Sequence, residues 1–194
     1  MTREVHSYEL AGQTIYHIYN FLDQETFSDI QKQKKDLYKQ NPGFGTTFNK
    51  VNDYKNIDNW EPAIGSAFLK YAKTVKEFFD NHNLNVRLTG AQVSKINASN
   101  WQPWHKHHPF PPTNDINKFW VAVFYHHPFW DDEYTKKYDG RLRVSTTPDD
   151  PGIKLPCYAN LVVIHNNQFG HKADNIIFGF PNDREVCYTD WRVV

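Results

Sequence analysis

The chain has 194 residues, enough for one domain with a substantial buried core, and its 22 basic and 22 acidic side chains cancel at neutral pH. That balance argues against a nucleic-acid binder working through a broad basic surface, and two cysteines, Cys157 and Cys187, are too few for a disulfide framework. No run approaches the roughly 20 apolar residues of a membrane helix, and the opening MTREVHSYEL has no apolar secretion-signal stretch, so the expectation is a cytoplasmic protein with two buried thiols and no membrane or nucleic-acid partner.

The elements follow in chain order, with no repeat, low-complexity block or linker to divide 1–194 into more than one domain. QTIYHIYNFL (13–22) alternates and is rich in Ile and Tyr, which predicts a strand. In 23–43, Phe27, Ile30, Leu37 and Tyr38 form a partial helical stripe that Asn41-Pro42-Gly43 stops. Residues 46–57 are polar and predict a loop or hairpin. In 61–83, Ile64, Ala67, Phe68, Tyr71, Ala72, Val75, Phe78 and Phe79 recur at spacings of three and four, which predicts one long helix with Pro62 in its first turn.

Beyond residue 84 the texture changes to short β-branched and aromatic runs: NVRLTGAQVSKINAS, FWVAVFYHH, GRLRVSTT, NLVVIHNN and REVCYTDWRVV. Turn segments at 109–117, 128–140, 148–152 and 179–183 separate them. The fold class this implies is mainly β with N-terminal helices, a sandwich or barrel (84–194) braced on one side by a strand and supporting helices (1–83).

NWQPWHKHHPF (100–110) places His105, His107 and His108 among tryptophans and prolines. A local pair such as His105 and His107, joined by a remote His171 from another strand, makes a set of neutral imidazoles suited to iron, copper, zinc or nickel. On spacing alone a solvated, idle histidine loop is the competing reading, because His126-His127 shows that this chain uses histidine freely. Tryptophans 101, 104, 120 and 130 and Phe110 surround the motif and read either as pocket walls or as core, with Trp120 and Phe124 on one strand face and Tyr125 on the other. Arg141 and Arg143 share a face and read as substrate contacts or as a solvated edge.

The order of these segments resembles the Fe(II)- and 2-oxoglutarate-dependent oxygenases of the prolyl-hydroxylase-like branch. IYNFLDQETFSDI resembles the opening strand and helix, and WHKH sits where that family carries its H-x-D pair. VAVFYHHPFWDDEYTKKYDGRLRV is similar to the following strand, its Trp-bearing loop and the turn before the next strand. NLVVIHNNQFGHKADN resembles the strand leading to the distal histidine, and REVCYTDWRV the last strand, headed by a basic residue. The resemblance implies a double-stranded β-helix (jelly-roll, cupin-like) and an enzyme that hydroxylates an unactivated C–H bond with release of succinate and CO2. It implies Fe(II) held by His105, His107 and His171, and the distal carboxylate of 2-oxoglutarate gripped by Arg184 with help from Tyr125. Trp104, Trp130 and Arg141 become candidate substrate contacts, with a peptide side chain or small molecule as substrate.

His107 departs from that pattern, because the family's second ligand is an Asp. Three neutral imidazoles leave Fe(II) its full double charge, whereas a carboxylate in the set would lower it to one, and the higher charge favours an anionic cosubstrate. His108 by a shift of register, or Asp115 from the next loop, are alternative third ligands. Two other functions stay open: a three-histidine cupin-type dioxygenase that needs no 2-oxoglutarate, and therefore no Arg184, and a non-enzymatic jelly-roll binding protein.

Overall fold

The computed structural model describes residues 2–40, 46–48, 56–96, 102–107, 116–128, 131–174 and 184–194. The Asn41-Pro42-Gly43 stop, Trp101, His108, Phe110, Asp115, Trp130 and the 179–183 turn lie outside the described residues, as do the side chains of Leu37 and Tyr38.

β1 (Glu4–Leu10) and β2 (Gln13–Tyr19) form an antiparallel hairpin. Its two-residue turn, Ala11 at φ 48° and Gly12 at φ 74°, has both residues at positive φ, matching the twist of the flanking strands. Sequence patterning misses β1 because it is a mostly exposed edge strand whose apolar alternation is limited to Tyr8 and Leu10 at its end. α1 (Gln24–Gln40) starts at Asp23, whose carboxylate accepts from the Thr26 backbone N–H at 2.7 Å and from its hydroxyl at 2.8 Å.

β3 (Thr46–Phe48) follows, then a 3-10 turn at Ile57–Trp60. The single helix expected over 61–83 is two: α2 (Glu61–Ile64) and α3 (Ser66–Asn81). Gly65, at φ 79°, breaks it. The Gln33 amide fills the gap, donating to the Ile64 carbonyl (3.0 Å) and accepting from Ala67 N–H (2.8 Å), and a Cβ at Gly65 would lie 1.2 Å from Gln33 Nε2.

The remaining elements are β4 (Val86–Ile96), β5 (Gln102–His105), β6 (Phe119–Tyr125), α4 (Asp132–Tyr138), β7 (Leu142–Ser145), β8 (Ile153–Leu155), β9 (Leu161–Asn166), β10 (Gly170–Ala173) and β11 (Arg184–Val193). α4 corrects the reading of 128–140 as turn. It is a short polar helix with Asp131 capping Tyr134 N–H at 3.0 Å, acids in its first turn and lysines in its last, and it has no apolar stripe to reveal it.

The strands make two antiparallel sheets, ordered β1-β2-β9-β6-β11-β4-β3 and β5-β10-β7-β8. One core joins α1–α3 to the outer face of the larger sheet, with Phe68, Tyr71 and Phe79 against Trp120, Phe124 and Trp191. A second lies between the sheets, with Val121, Val123, Val163 and Val186 facing Leu142, Val144 and Phe169. β6 and β9 are therefore buried on both faces, which is why they read as continuous apolar runs. Trp120 and Phe124 face the helices and Tyr125 the inter-sheet core, as their alternation predicts. Both cysteines are buried and unbridged. Among the described residues no helix is long and apolar enough to cross a membrane.

Several histidines are buried, which makes stability acid-sensitive. Burial pulls His17 from its ordinary 6.5 down to about 4 against an opposing hydrogen bond to the Pro156 carbonyl, and pulls His127 down to about 3. Between those values and 6.5 the unfolded chain binds protons that the folded chain refuses. The stabilisation is therefore complete above pH 6.5 and drains away as pH falls toward the folded values, at about 1.4 kcal/mol per pH unit for each histidine. The urea midpoint is expected to fall steeply below pH 6.5; a midpoint unchanged from pH 7.5 to 5 would contradict this account.

Candidate metal centre

His105 ends β5 and His171 lies directly opposite it on β10. Their rings face each other across the strand pair with centroids 4.6 Å apart. His107 lies two residues beyond the end of β5, where the sheet no longer holds the backbone. Asn167, buried just after β9, takes over: its amide accepts from His107 N–H at 3.1 Å and donates to the His107 carbonyl at 2.8 Å. That clamp keeps the segment extended, so His107 projects to the same side as His105. The two rings stack at 5.5 Å, and His107 lies 5.0 Å from His171. One nitrogen from each of the three rings lies within 4.8 Å of the others.

Hydrogen bonds occupy the same nitrogen on every ring. Nδ1 of His105 lies 2.8 Å from the Pro103 carbonyl, Nδ1 of His107 2.5 Å from Asp190 Oδ1, and Nδ1 of His171 3.1 Å from His165 Nε2. The carbonyl and the carboxylate can only accept, so Nδ1 of His105 and His107 carries the proton. His165 places its own Nδ1 3.0 Å from the Asn166 carbonyl, which makes its Nε2 the acceptor for His171. Nε2 is thus the candidate ligating atom of each ring. His171 Nε2 is buried and has no hydrogen-bond partner.

The electrostatics suit a cation. Burial, then the neighbouring histidines, hold His171 well below its ordinary pKa, so its ring is neutral at pH 7 and able to serve as a ligand. Burial likewise lowers His165 to about 4. Burial also pulls His107 down, but the Asp190 charge and hydrogen bond outweigh it and raise His107 above its ordinary value. A cation at Nε2 would take the place of that second proton. Three imidazole nitrogens, one of them buried and unpartnered, fit a divalent transition metal, with a small inward rotation bringing them to the roughly 3–4 Å spacing of ligands on one ion.

β11 carries Arg184, Val186, Tyr188 and Asp190 on one face. Arg184 is 3% exposed, and its Nη2 donates to the carbonyls of Gly140 (2.8 Å) and Asp174 (3.2 Å). Tyr125, fully buried on the neighbouring β6, is pushed well above its ordinary pKa by burial, while the nearby Arg184 charge pulls it down. Tyr188 lies between the two ends of the face, its ring parallel to His171 at 6.0 Å and 5.4 Å from His107.

No family model and no curated protein sequence matches the chain. Solved structures do. A prolyl hydroxylase from Trichoplax adhaerens, in complex with a hypoxia-inducible-factor peptide fragment, superposes with a TM-score of 0.64 at 13% identity, covering 92% of this chain and 83% of that one. HygX from Streptomyces hygroscopicus, with nickel and 2-oxoglutarate bound, gives 0.63 at 12% identity over 93% and 82%. A Pseudomonas putida prolyl-4-hydroxylase gives 0.58 at 12% over 92% and 91%. The fold is the prolyl-hydroxylase-like double-stranded β-helix.

Within this β-helix the other predicted residues are less central. Trp104 points to the opposite side of β5 from the imidazoles. Its indole N–H donates to Ser145 Oγ (2.9 Å), and its ring lies so close to Gly170 that a Cβ there would come within 2.3 Å. It braces β5 against β7 and β10 from behind. Arg141 is partly exposed and paired with Asp139 at 3.0 Å, and Arg143 is paired with Asp174 at 3.3 Å. Sequence reasoning missed Asn167, His165, Tyr188 and Asp190. The last two were within reach, since counting by twos from Arg184 along an extended strand arrives at both.

Proposed function

We propose that this chain is an Fe(II)- and 2-oxoglutarate-dependent dioxygenase that hydroxylates an unactivated C–H bond. His105, His107 and His171 hold the metal through Nε2, and Arg184 with Tyr125 receives the distal carboxylate of 2-oxoglutarate. The carrying observation is the convergence of three imidazoles across β5 and β10, in a fold whose solved examples include a protein with nickel and 2-oxoglutarate bound, and with iron bound. When bound, ferrous iron would supply the activation of O2, the oxidant, one of whose oxygen atoms enters the substrate hydroxyl and the other the succinate formed as 2-oxoglutarate loses CO2. The protein's part is positional. Arg184 offers a planar fork for a carboxylate, the Nδ1 hydrogen bonds aim Nε2, and the aromatic wall of Tyr188 limits water. A peptide side chain is the favoured substrate class, because a peptide fragment occupies the prolyl hydroxylase of the same fold. A cytoplasmic setting, suited to free thiols, completes the reading.

Anaerobic addition of 2-oxoglutarate to the Fe(II)-loaded protein is expected to produce a weak visible charge-transfer band, and admission of O2 to yield succinate. Metal-loaded protein that shows neither would refute the proposal. Its all-histidine donor set would then favour a dioxygenase working without 2-oxoglutarate.

A further inference from the structure

The ligand set lacks a carboxylate, yet one stands directly behind it. Asp190 Oδ1 lies 2.5 Å from His107 Nδ1, on the side of the ring away from the ligating nitrogen. Two backbone features place it there. The β11–β4 ladder has an irregularity between Asp190 and Trp191, where Thr89 drops out of register and its hydroxyl donates to the Asp190 carbonyl at 3.1 Å. The extra residue is on β4, so it is that strand that bends beside Asp190. Opposite Asp190 stands Gly90, and a Cβ there would come within 2.8 Å of Asp190 Oδ2. The strand therefore leaves space for this carboxylate and directs it at His107. Asp190 is not among the residues whose ligating atoms converge.

We infer that Asp190 is a positioning residue that fixes the ring orientation and tautomer of His107 and delivers to the metal, through that imidazole, the negative charge the ligand set lacks. This rests on the metal centre proposed above. A carboxylate accepting from Nδ1–H holds Nε2 as a lone pair and makes it a stronger donor, and removing such a partner typically weakens metal binding 10–100-fold.

The test is a double-mutant cycle read by Co(II) affinity and the Co(II) visible spectrum, on the full chain without 2-oxoglutarate or substrate. Asp190→Asn and Asp190→Ala are expected to weaken Co(II) binding about 10–100-fold, to keep one ion per chain and to shift the Co(II) bands. In a His107→Ala background, Asp190→Asn is expected to change affinity by less than about 2-fold and leave the spectrum unmoved, since the group through which it acts is gone. Thermal melts of the metal-free variants separate these effects from misfolding. Undiminished affinity in Asp190→Asn and Asp190→Ala overturns the inference and leaves the metal centre standing. Equal losses in both backgrounds also overturn it, because Asp190 would then be a ligand itself or act by charge at a distance. Wild-type protein that binds no Co(II) overturns the centre and the inference together.

Discussion

His171→Ala is expected to abolish stoichiometric metal binding. His171 is 1% exposed and supplies the most buried of the three converging nitrogens, with His165 behind it holding the ring in place. Without it, two histidines remain on one short segment, both partly open to solvent and with nothing opposite them on β10. The loss in affinity for Mn(II), Co(II) or Fe(II) should exceed the roughly 100-fold that marks removal of an outer partner. Folding should lose some stability: deleting the ring removes an unpartnered buried nitrogen but also strips the donor from buried His165 Nε2 and leaves a cavity. Metal titration beside metal-free melting therefore separates a ligand from a structural histidine. Full occupancy in the variant would remove His171 from the centre.

Arg184→Ala is expected to weaken 2-oxoglutarate binding by about 2–5 kcal/mol, the usual cost of truncating one partner of a buried, hydrogen-bonded charge pair. Metal affinity should change little, because Arg184 and Asp190 stand at opposite ends of the β11 face. Arg184→Lys keeps the charge and loses the bidentate fork, so it should fall between wild type and the alanine variant. Arg184→Ala also strips donors from the Gly140 and Asp174 carbonyls, so melting temperature has to be read with it. Calorimetric titration of the Mn(II)-loaded protein under nitrogen measures the affinity directly. If it is unchanged, another residue holds the carboxylate.

Much of this was legible in one dimension. FWVAVFY and NLVVIHNN read as strands because both their faces are buried, and the α3 stripe declared its packing face through spacing alone. His105, His107 and His171 stood out as a candidate set because a metal asks for particular residue types, and types are what a sequence states. Arg184 entered through family resemblance, at a strand start where the structure does bury it.

Tertiary structure decided the rest, for reasons of geometry. Gly65 ends one helix and begins another because Gln33, from a different helix, fills the gap, and nothing in the local spacing records that partner. β1 is a strand because β2 pairs with it along its length, while Tyr8 and Leu10 alone give it a short apolar side against the core. His107 faces inward because the Asn167 amide, sixty positions away, holds its backbone after β5 has ended. Asp190 reaches His107 because alternation along β11 turns it to that face and Gly90, opposite it on β4, lacks a side chain. The sequence by itself determined which residues have the chemistry of a metal centre and which runs are strands and helices, since composition and periodicity are local properties. Which nitrogen each histidine presents, and which carboxylate stands behind it, depends on hydrogen bonds between distant segments, and those exist only once the two sheets have packed.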